Sequence, residues 1–203
     1  MNARTAGATK GGPRAEAQRD RILCAALKCF IEHGFHAASM ASIADAAQMS
    51  AGLMYRYFAN KNAIVLAIIE RQLEEKRCVI RQLHSSTDIA ARLLETFEQW
   101  RARDPHVMSA ALFLEMSAEA TRNPQIAGAL RSADTLTRAE FQTWLSRSRN
   151  EGGMGLPEDV AASRALLLQC VVEGLALRAV REPDLDPDRL QSTLDDLFAR
   201  LLP

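Results

Sequence analysis

The feature that most constrains the fold of this chain is a helical composition that is broken at short intervals and carries no strand pattern. Ala, Leu, Arg, Glu and Gln fill windows of helical length between glycine, proline and asparagine breakers. β-Branched residues are sparse, and no stretch alternates apolar and polar residues for long. These patterns predict an all-α fold of about nine helices. The predicted helices span residues 14–33, 40–47, 51–57, 61–83, 87–103, 105–121, 125–150, 158–181 and 187–202.

The composition is that of a soluble globular protein. The 203 residues are 48% hydrophobic, so the chain can bury a core. No apolar run reaches the roughly 18 residues that a membrane span needs, and the N-terminus lacks the apolar centre of a signal peptide. We therefore expect a cytoplasmic protein in three parts: a flexible tail at residues 1–13, a small domain at 14–60 and a larger helical domain at 61–203.

Charge is distributed unevenly along the chain. Residues 1–62 contain eight basic and four acidic residues, although the net charge of the whole chain is zero. A basic N-terminal third on an acidic remainder suits a protein that presents one end to a polyanion.

Motifs for catalysis or metal binding are missing from the sequence. It contains no GxSxG, no HExxH and no glycine-rich phosphate loop. The four cysteines are scattered without a CxxC pair, so we expect reduced, mostly buried thiols. We expect no enzyme activity, no cofactor and no metal.

Both tyrosines of the chain lie in one short segment, QMSAGLMYRYF, at residues 48–58. The segment follows another short helix, MASIADAA, across a turn. Two short helices joined in this way are typical of the helix-turn-helix, whose second helix enters the major groove of DNA. Helical spacing turns Met54 and Phe58 inward and Gly52, Tyr55 and Arg56 outward.

The outward residues have side chains that suit a duplex. Small residues at Ala51 and Gly52 let the start of the helix approach phosphate closely. Tyrosine hydroxyls donate to phosphate oxygens, and arginine binds either phosphate or a guanine edge. Lys61 adds a cation that gains from a nearby phosphate. A Tyr-x-Tyr pair on a helix is more often a packing pair, so the interpretation depends on the surrounding sequence.

Residues 14–70 resemble the TetR family of transcriptional regulators. The resemblance rests on the Gly34–Phe35 helix end, the Ser39 cap, the SIADAA helix, the SAGLMYRYF helix and Lys61. It implies an N-terminal helix-turn-helix domain that binds double-stranded DNA. The residues that we expect to form the DNA-binding surface are Arg14, Ser39, Ser50, Ala51, Gly52, Leu53, Tyr55, Arg56, Tyr57 and Lys61.

The sequence departs from the family pattern in two places. Gln48 occupies the turn position where relatives often have glycine, so it must take a strained positive φ or permit a different turn. Ala41 and Ser42 replace the Arg or Lys that relatives often carry at the start of the second helix. Base recognition is therefore expected to depend on the third helix and on Arg14 or the N-terminal tail.

The resemblance implies that the larger domain binds a small-molecule effector and dimerises. The run at residues 112–125 is similar to the BetI-type branch of the family. The whole protein is then expected to be a repressor that binds an inverted-repeat operator as a dimer and is released by its effector. Candidate effector-binding residues, each of which could equally be ordinary core, are Cys78, Gln82, Trp100, Phe113, Met116, Glu119, Phe141, Trp144 and Cys170.

The last two predicted helices, at residues 158–181 and 187–202, are long and apolar. Pairing them with their copies in a second subunit makes a four-helix dimer interface. The alternative is that both helices pack only within one subunit. Residues 63–69 of the fourth helix are also apolar nearly all round, which favours a mechanical link between the two domains.

A helical protein-interaction adaptor on the same fold is the alternative function. It predicts no salt-dependent affinity for DNA, whereas a regulator that neutralises several phosphates weakens steeply as salt rises. The effector, the target genes and the operator cannot be derived from the sequence.

Overall fold

The computed structural model of the protein describes residues 12–82, 89–104, 107 and 109–202, and helices dominate them. Within these ranges no strand occurs, and the predicted all-α fold is confirmed. The described residues also include a 3₁₀ turn at Arg149–Glu151. The α-helices are α1 Pro13–Ala37, α2 Met40–Ala46, α3 Ala51–Tyr55, α4 Lys61–Gln82, α5 Ile89–Arg101, α6 Ala110–Ala120, α7 Pro124–Ser146, α8 Glu158–Arg181 and α9 Pro187–Leu201.

The chain forms two compact units, residues 1–64 and 65–203. The boundary therefore lies inside α4, a little after the boundary that the sequence predicts. One continuous helix contributes residues to both units.

Serine and asparagine side chains cap the starts of α2, α3 and α4. Ser39 Oγ accepts a hydrogen bond from the Ser42 amide at 3.0 Å, and Ser42 Oγ accepts one from the Ser39 amide at 2.8 Å. Ser50 Oγ and Asn60 Oδ1 each accept the amide three residues further along, at 3.2 and 2.9 Å. Because each cap satisfies an amide that has no partner inside its helix, it contributes about 1 kcal/mol to helix stability.

The predicted helix at 125–150 is too long at its C-terminal end. α7 ends at Ser146, because Arg147 leaves the helical region with a ψ of 144°. At its start, Asn123 Oδ1 caps the helix and Pro124 occupies the first position, where a missing amide hydrogen costs nothing.

A glycine break and an apolar core shape the smaller unit. Gly34 has a φ of 77°, which a residue with a side chain rarely adopts. Beyond it Phe35 packs on Phe30, with 5.3 Å between the ring centroids. α1 packs against α2 and α2 against α3. The fully or almost fully buried side chains of this unit include Ile22, Ala26, Phe30, Ile43, Ala44, Met54 and Phe58.

α8 is the central helix of the larger unit, where it packs against α5, α6 and α7. By length and composition α8 could span a membrane. One face of α8, with Ala161, Ala165 and Leu168, belongs to the apolar core of the unit. The last helix, α9, packs on α5 and buries Leu194 and Phe198 in the same core.

The expectation of mostly buried thiols is wrong for two of the cysteines. Cys29 is buried, and burial raises the pKa of its thiol, with a smaller contribution from Glu32. Cys24 and Cys170, however, are exposed. Each lies on the side of its helix that is turned away from the core, which the widely spaced sequence positions do not reveal. The side chain of Cys78 is outside the described residues.

Candidate nucleic-acid interface and effector cavity

The link between α2 and α3 is a four-residue turn with Gln48 in a left-handed conformation. The Gln48 amide donates to Asp45 O at 2.9 Å, and the Met49 amide donates to Ala44 O at 3.0 Å. This pair of bonds is the Schellman pattern, whose left-handed position usually carries glycine. Gln48 takes that position with a φ of 51°, the strained alternative that the sequence left open. A side chain in this region costs about 1 kcal/mol or more.

Two arginines of α1 contact the helix-turn-helix. Arg21 Nη2 donates a hydrogen bond to Gln48 O in the turn, at 2.9 Å. The guanidinium of Arg19 lies 4.5 Å from the centroid of the Phe58 ring, just after α3. A cation over an aromatic ring is an attractive contact. Both arginines therefore help to hold α3 in place, besides adding positive charge to the unit.

The third helix presents the predicted face to solvent. Met54 is fully buried and Phe58 is 2% exposed, so the inward pair is confirmed. Gly52 and Arg56 are exposed, and Tyr55 is 55% exposed. A Cβ added at Gly52 would meet no atom within 4 Å. Packing within this unit therefore does not require glycine there.

The other predicted DNA-binding residues, apart from Lys61, are exposed or half-buried. Arg14 lies in the first turn of α1, and it is exposed, as are Ser39, Ser50 and Ala51. Leu53 and Tyr57 are half-buried. The hydroxyls of Ser39 and Ser50 already accept amide hydrogens as caps. No described residue forms a hydrogen bond or ion pair with the side chain of Tyr55, Arg56 or Tyr57.

The side chain of Lys61 contacts the end of α1. Its ammonium donates to Phe35 O at 2.5 Å, to Ala38 O at 2.9 Å and to His36 O at 3.5 Å. It also lies 4.3 Å from the centroid of the Phe35 ring. Because three carbonyls engage an ammonium that has three hydrogens, its donors are directed at protein rather than at phosphate. Lys61 caps the end of α1, where a cation is also favoured by the helix dipole.

A cavity of about 510 Å³ lies in the larger unit, between α4, α5, α7 and α8. Its volume is within the range of small-molecule sites. Three of the predicted effector residues, Trp100, Phe141 and Trp144, line it. These three aromatic side chains come from two helices, and they form part of the apolar wall.

Four of the predicted effector residues do not line this cavity. Phe113, Met116 and Glu119 lie on α6, which contributes nothing to the wall, and Glu119 pairs with Arg122 at 3.7 Å. Cys170 is on the exposed side of α8. Helical spacing indicates that such residues face a core, but not which helices meet around an empty space. The side chains of the remaining two, Cys78 and Gln82, lie outside the described residues.

The polar part of the wall was missed by the sequence analysis. Gln72, Thr137 and Gln169 line the cavity, and each is less than a tenth exposed. Gln169 interrupts the apolar run LLLQCVV on α8. A polar residue inside an otherwise apolar helix is the signal that would have identified it, because buried polar groups need partners.

An apolar stripe on α8 is exposed. Leu166 and Leu167 are each 47% exposed and Val180 is 45% exposed. Cys170 and Gly174 lie between them and are also exposed, and a Cβ added at Gly174 would meet no atom within 4 Å. By contrast, the main apolar side chains of α9 are buried within the subunit, namely Leu190, Leu194, Phe198 and Leu201. That face of α9 therefore packs within the subunit, whereas the α8 stripe is exposed.

Known proteins resemble this chain over both units. Residues 22–68 match the family model of bacterial regulatory proteins, tetR family, and residues 81–203 match the C-terminal model of BetI-type transcriptional repressors. The HTH-type transcriptional regulator UidR of Escherichia coli strain K12 is 33% identical over 166 residues, covering 79% of this chain and 81% of that protein. The HTH-type transcriptional regulator BetI of Cronobacter sakazakii is 30% identical over 167 residues, covering 80% of this chain and 79% of that protein.

A solved structure matches almost the whole length. Salmonella enterica GusR superposes with a TM-score of 0.75 at 28% identity, covering 96% of this chain and 99% of that chain. Sequence and structure therefore relate both units of this chain to the same set of regulators.

Proposed function

This chain belongs to the tetR family of bacterial regulatory proteins and is a ligand-responsive, DNA-binding transcriptional repressor, and on that premise we propose that α3 reads its operator through the face of Gly52, Tyr55 and Arg56. The observation that carries the proposal is that this face is exposed while Met54, on the opposite side of the same helix, is fully buried.

Each residue of the face has a role that its chemistry allows. Arg56 reaches a guanine edge or a phosphate with its guanidinium. The hydroxyls of Tyr55 and Tyr57 donate to phosphate oxygens. Gly52 leaves room for the backbone of α3 to approach the duplex, which explains a glycine that the protein's own packing does not require. Arg14, Ser39, Ser50, Ala51 and Leu53 form the edge of the contact, and Lys61 positions α1 relative to the start of α4.

The protein acts as a homodimer, with a second copy of this chain covering the exposed stripe of α8. An exposed row of Leu166, Leu167 and Val180 is more apolar than a monomer's surface usually is. Gly174, in the middle of that row, lets a helix of the partner approach closely, and the outward side of α9 lies at the rim of the interface. A two-fold axis then places two α3 helices in successive major grooves, about 34 to 36 Å apart. The operator is accordingly an inverted repeat, and the protein works in the cytoplasm, where the DNA is.

The cavity of the larger unit holds the effector. Its aromatic wall and buried polar groups are the usual features of a small-molecule site. α4 contributes Gln72, Glu75 and Ile80 to the cavity and Lys61 to the carbonyls at the end of α1. A shift of α4 on effector binding therefore changes the contacts of α1 and the position of the recognition helix. A coupling of about 1 to 3 kcal/mol between the two sites is typical of such regulators.

Salt dependence of DNA binding distinguishes the regulator from the helical adaptor. The affinity of the purified protein for a fluorescent duplex is measured by anisotropy at several salt concentrations. For a regulator that contacts six or more phosphates, the dissociation constant rises by roughly three orders of magnitude or more between 50 and 200 mM salt. A protein that binds no DNA at low salt, or binds it without salt dependence, is the adaptor and not the regulator.

A further inference from the structure

Gln169 leaves a hydrogen-bond acceptor unused in the wall of the effector cavity. The side chain is 8% exposed, and its Nε2 donates to Glu173 Oε1 at 2.9 Å. Its Oε1 is buried, and no partner for it exists among the described residues. The carboxylate of Glu173 accepts only, so it fixes the amide with the NH₂ group towards Glu173 and leaves the carbonyl oxygen without a donor. A buried acceptor without a donor costs about 1 to 3 kcal/mol.

Glu173 adds a negative charge beside this acceptor. It also lines the cavity, one helical turn after Gln169, and it is half-buried. Three other carboxylates line the wall, and each has a partner. Glu75 pairs with Arg71 at 3.0 Å, Glu95 pairs with Arg92 at 2.7 Å, and Asp134 also takes part in an interaction. No Lys or Arg among the described residues lies within ion-pair distance of Glu173. The cavity therefore offers a carboxylate and an amide oxygen, side by side, next to aromatic rings.

We infer that the effector is an amine, protonated and carrying at least two N–H groups, on an apolar or aromatic body. One N–H donates to Gln169 Oε1 and another to Glu173, while the body packs against Trp100, Phe141 and Trp144. An effector with a hydroxyl group in place of the amine donates a hydrogen bond to Gln169 Oε1, but it leaves the negative charge of Glu173 without a counterion. A carboxylate is repelled by Glu173 and donates nothing to Gln169. This inference rests on the proposed function, because it names the class of molecule that the proposed effector cavity takes.

The fluorescence of the protein reports directly on the occupancy of the cavity. The chain contains two tryptophans, and both of them, Trp100 and Trp144, line the cavity. Titration with phenylbutylamine, phenylbutanol and phenylbutyrate, which share one aromatic body, compares an amine, an alcohol and a carboxylate. We expect the amine to bind at least about tenfold more tightly than the alcohol, which is about 1.4 kcal/mol, and the carboxylate to bind most weakly.

Two cavity variants separate the two contacts. Glu173→Gln keeps the shape and removes the charge, so the affinity for the amine falls by about tenfold and that for the alcohol stays the same. Gln169→Leu removes the acceptor, so the amine and the alcohol both bind more weakly. Gln191 and Asp195 on α9 form a matched pair outside the cavity, with Gln191 Nε2 donating to Asp195 Oδ1 at 2.9 Å. Gln191→Leu and Asp195→Asn should leave all three affinities unchanged.

The inference is overturned if phenylbutyrate binds as tightly as the amine, if no probe changes the tryptophan fluorescence, or if the cavity variants behave like their α9 controls. Circular dichroism checks that each variant is folded. If Gln169→Leu does not fold, Glu173→Gln decides alone, because a neutral isostere at a half-buried position leaves the packing intact. The fluorescence titration contains no DNA. Its failure therefore contradicts the amine inference alone, whereas failure of the unliganded protein to bind DNA contradicts the proposed function.

Discussion

Arg21 donates a hydrogen bond from Nη2 to the carbonyl oxygen of Gln48, at 2.9 Å. The two residues are 27 positions apart in the chain, the first on α1 and the second in the turn that aims α3. Gln48 also has a φ of 51°. A turn that costs backbone energy is thus held from outside the α2–α3 motif by a charged side chain. The direction of the recognition helix depends on α1 as well as on its own sequence.

Replacement of Gln48 by glycine should stabilise the protein. Glycine adopts a positive φ without steric cost, so the free energy of unfolding should rise by about 1 kcal/mol, less the entropy that glycine adds to the unfolded chain. Urea unfolding followed by circular dichroism measures the change. Gln48→Ala is the control, because alanine keeps the strained φ and should bring no gain. A less stable glycine variant would show that the glutamine side chain contributes more than the backbone strain costs.

Replacement of Gly52 by alanine should separate folding from DNA binding. The new methyl group meets no atom within 4 Å, and alanine favours helix, so stability should stay the same or rise by up to about 1 kcal/mol. Operator affinity should nevertheless fall by at least about tenfold, or 1.4 kcal/mol, because the methyl group holds α3 away from the duplex. Thermal unfolding and anisotropy measure the two quantities.

Gly128 on α7 provides the control for that change. An added Cβ there would meet only the Arg131 side chain, at 3.9 Å, and the position lies in the larger unit. Gly128→Ala should leave operator affinity unchanged. An equal loss of affinity in both alanine variants, or none in either, would contradict the role given to Gly52.

Lys61 and Arg56 each carry one positive charge. Replacement of Lys61 should mainly lower stability, whereas replacement of Arg56 should mainly reduce the salt dependence of DNA binding. Lys61→Met breaks the hydrogen bonds to the carbonyls at the end of α1 and should lower the free energy of unfolding by about 2 kcal/mol. Arg56→Ala removes an exposed charge and should leave stability within about 0.5 kcal/mol. It should reduce the slope of log affinity against log salt by about 1.

The same two measurements on both variants decide whether Lys61 positions the helices or binds phosphate. If Lys61→Met changes the salt slope as much as Arg56→Ala does and leaves stability unaltered, the ammonium binds phosphate, and its contacts with the carbonyls of α1 are incidental.

The exposed stripe of α8 should be the site where two copies meet. Leu167→Glu places a charge in that stripe and should shift the protein from dimer to monomer in sedimentation velocity. Operator affinity should fall with it, because one recognition helix contacts only half of the inverted repeat. Leu136 on α7 is similarly exposed, at 45%. Leu136→Glu should remain dimeric, and a dimeric Leu167→Glu variant would exclude the stripe as the interface.

Local patterns predict the helix-turn-helix unit well. Capping hydroxyls, the glycine that breaks α1 and the inward and outward faces of α3 all follow from interactions within a few residues, and the structure agrees with each of them. These features can therefore be predicted from a single sequence. For Gln48 the sequence left two alternatives, and the structure has the strained one.

The role of Lys61 and the walls of the cavity depend on residues that are far apart in the chain. The carbonyls that bind Lys61 precede it by 23 to 26 residues. A flexible lysine side chain can bind a phosphate or a carbonyl oxygen, so the local sequence does not decide between them. Likewise, spacing indicates that Met116 on α6 and Trp144 on α7 both face a core, but the packing of four helices decides that only Trp144 borders the empty space.

Selection of bound sequences from random duplex DNA by the purified, unliganded protein tests the central claim most directly. The claim is that two copies of the Gly52, Tyr55 and Arg56 face contact one duplex through a two-fold axis. We expect the selected sequences to share an inverted repeat whose half-site centres are about 10 base pairs, or a multiple of one helical turn, apart. Loss of base preference within the half-sites on Arg56→Ala would assign that readout to α3. Selected sequences without any symmetric motif, or no enrichment at all, would contradict the account.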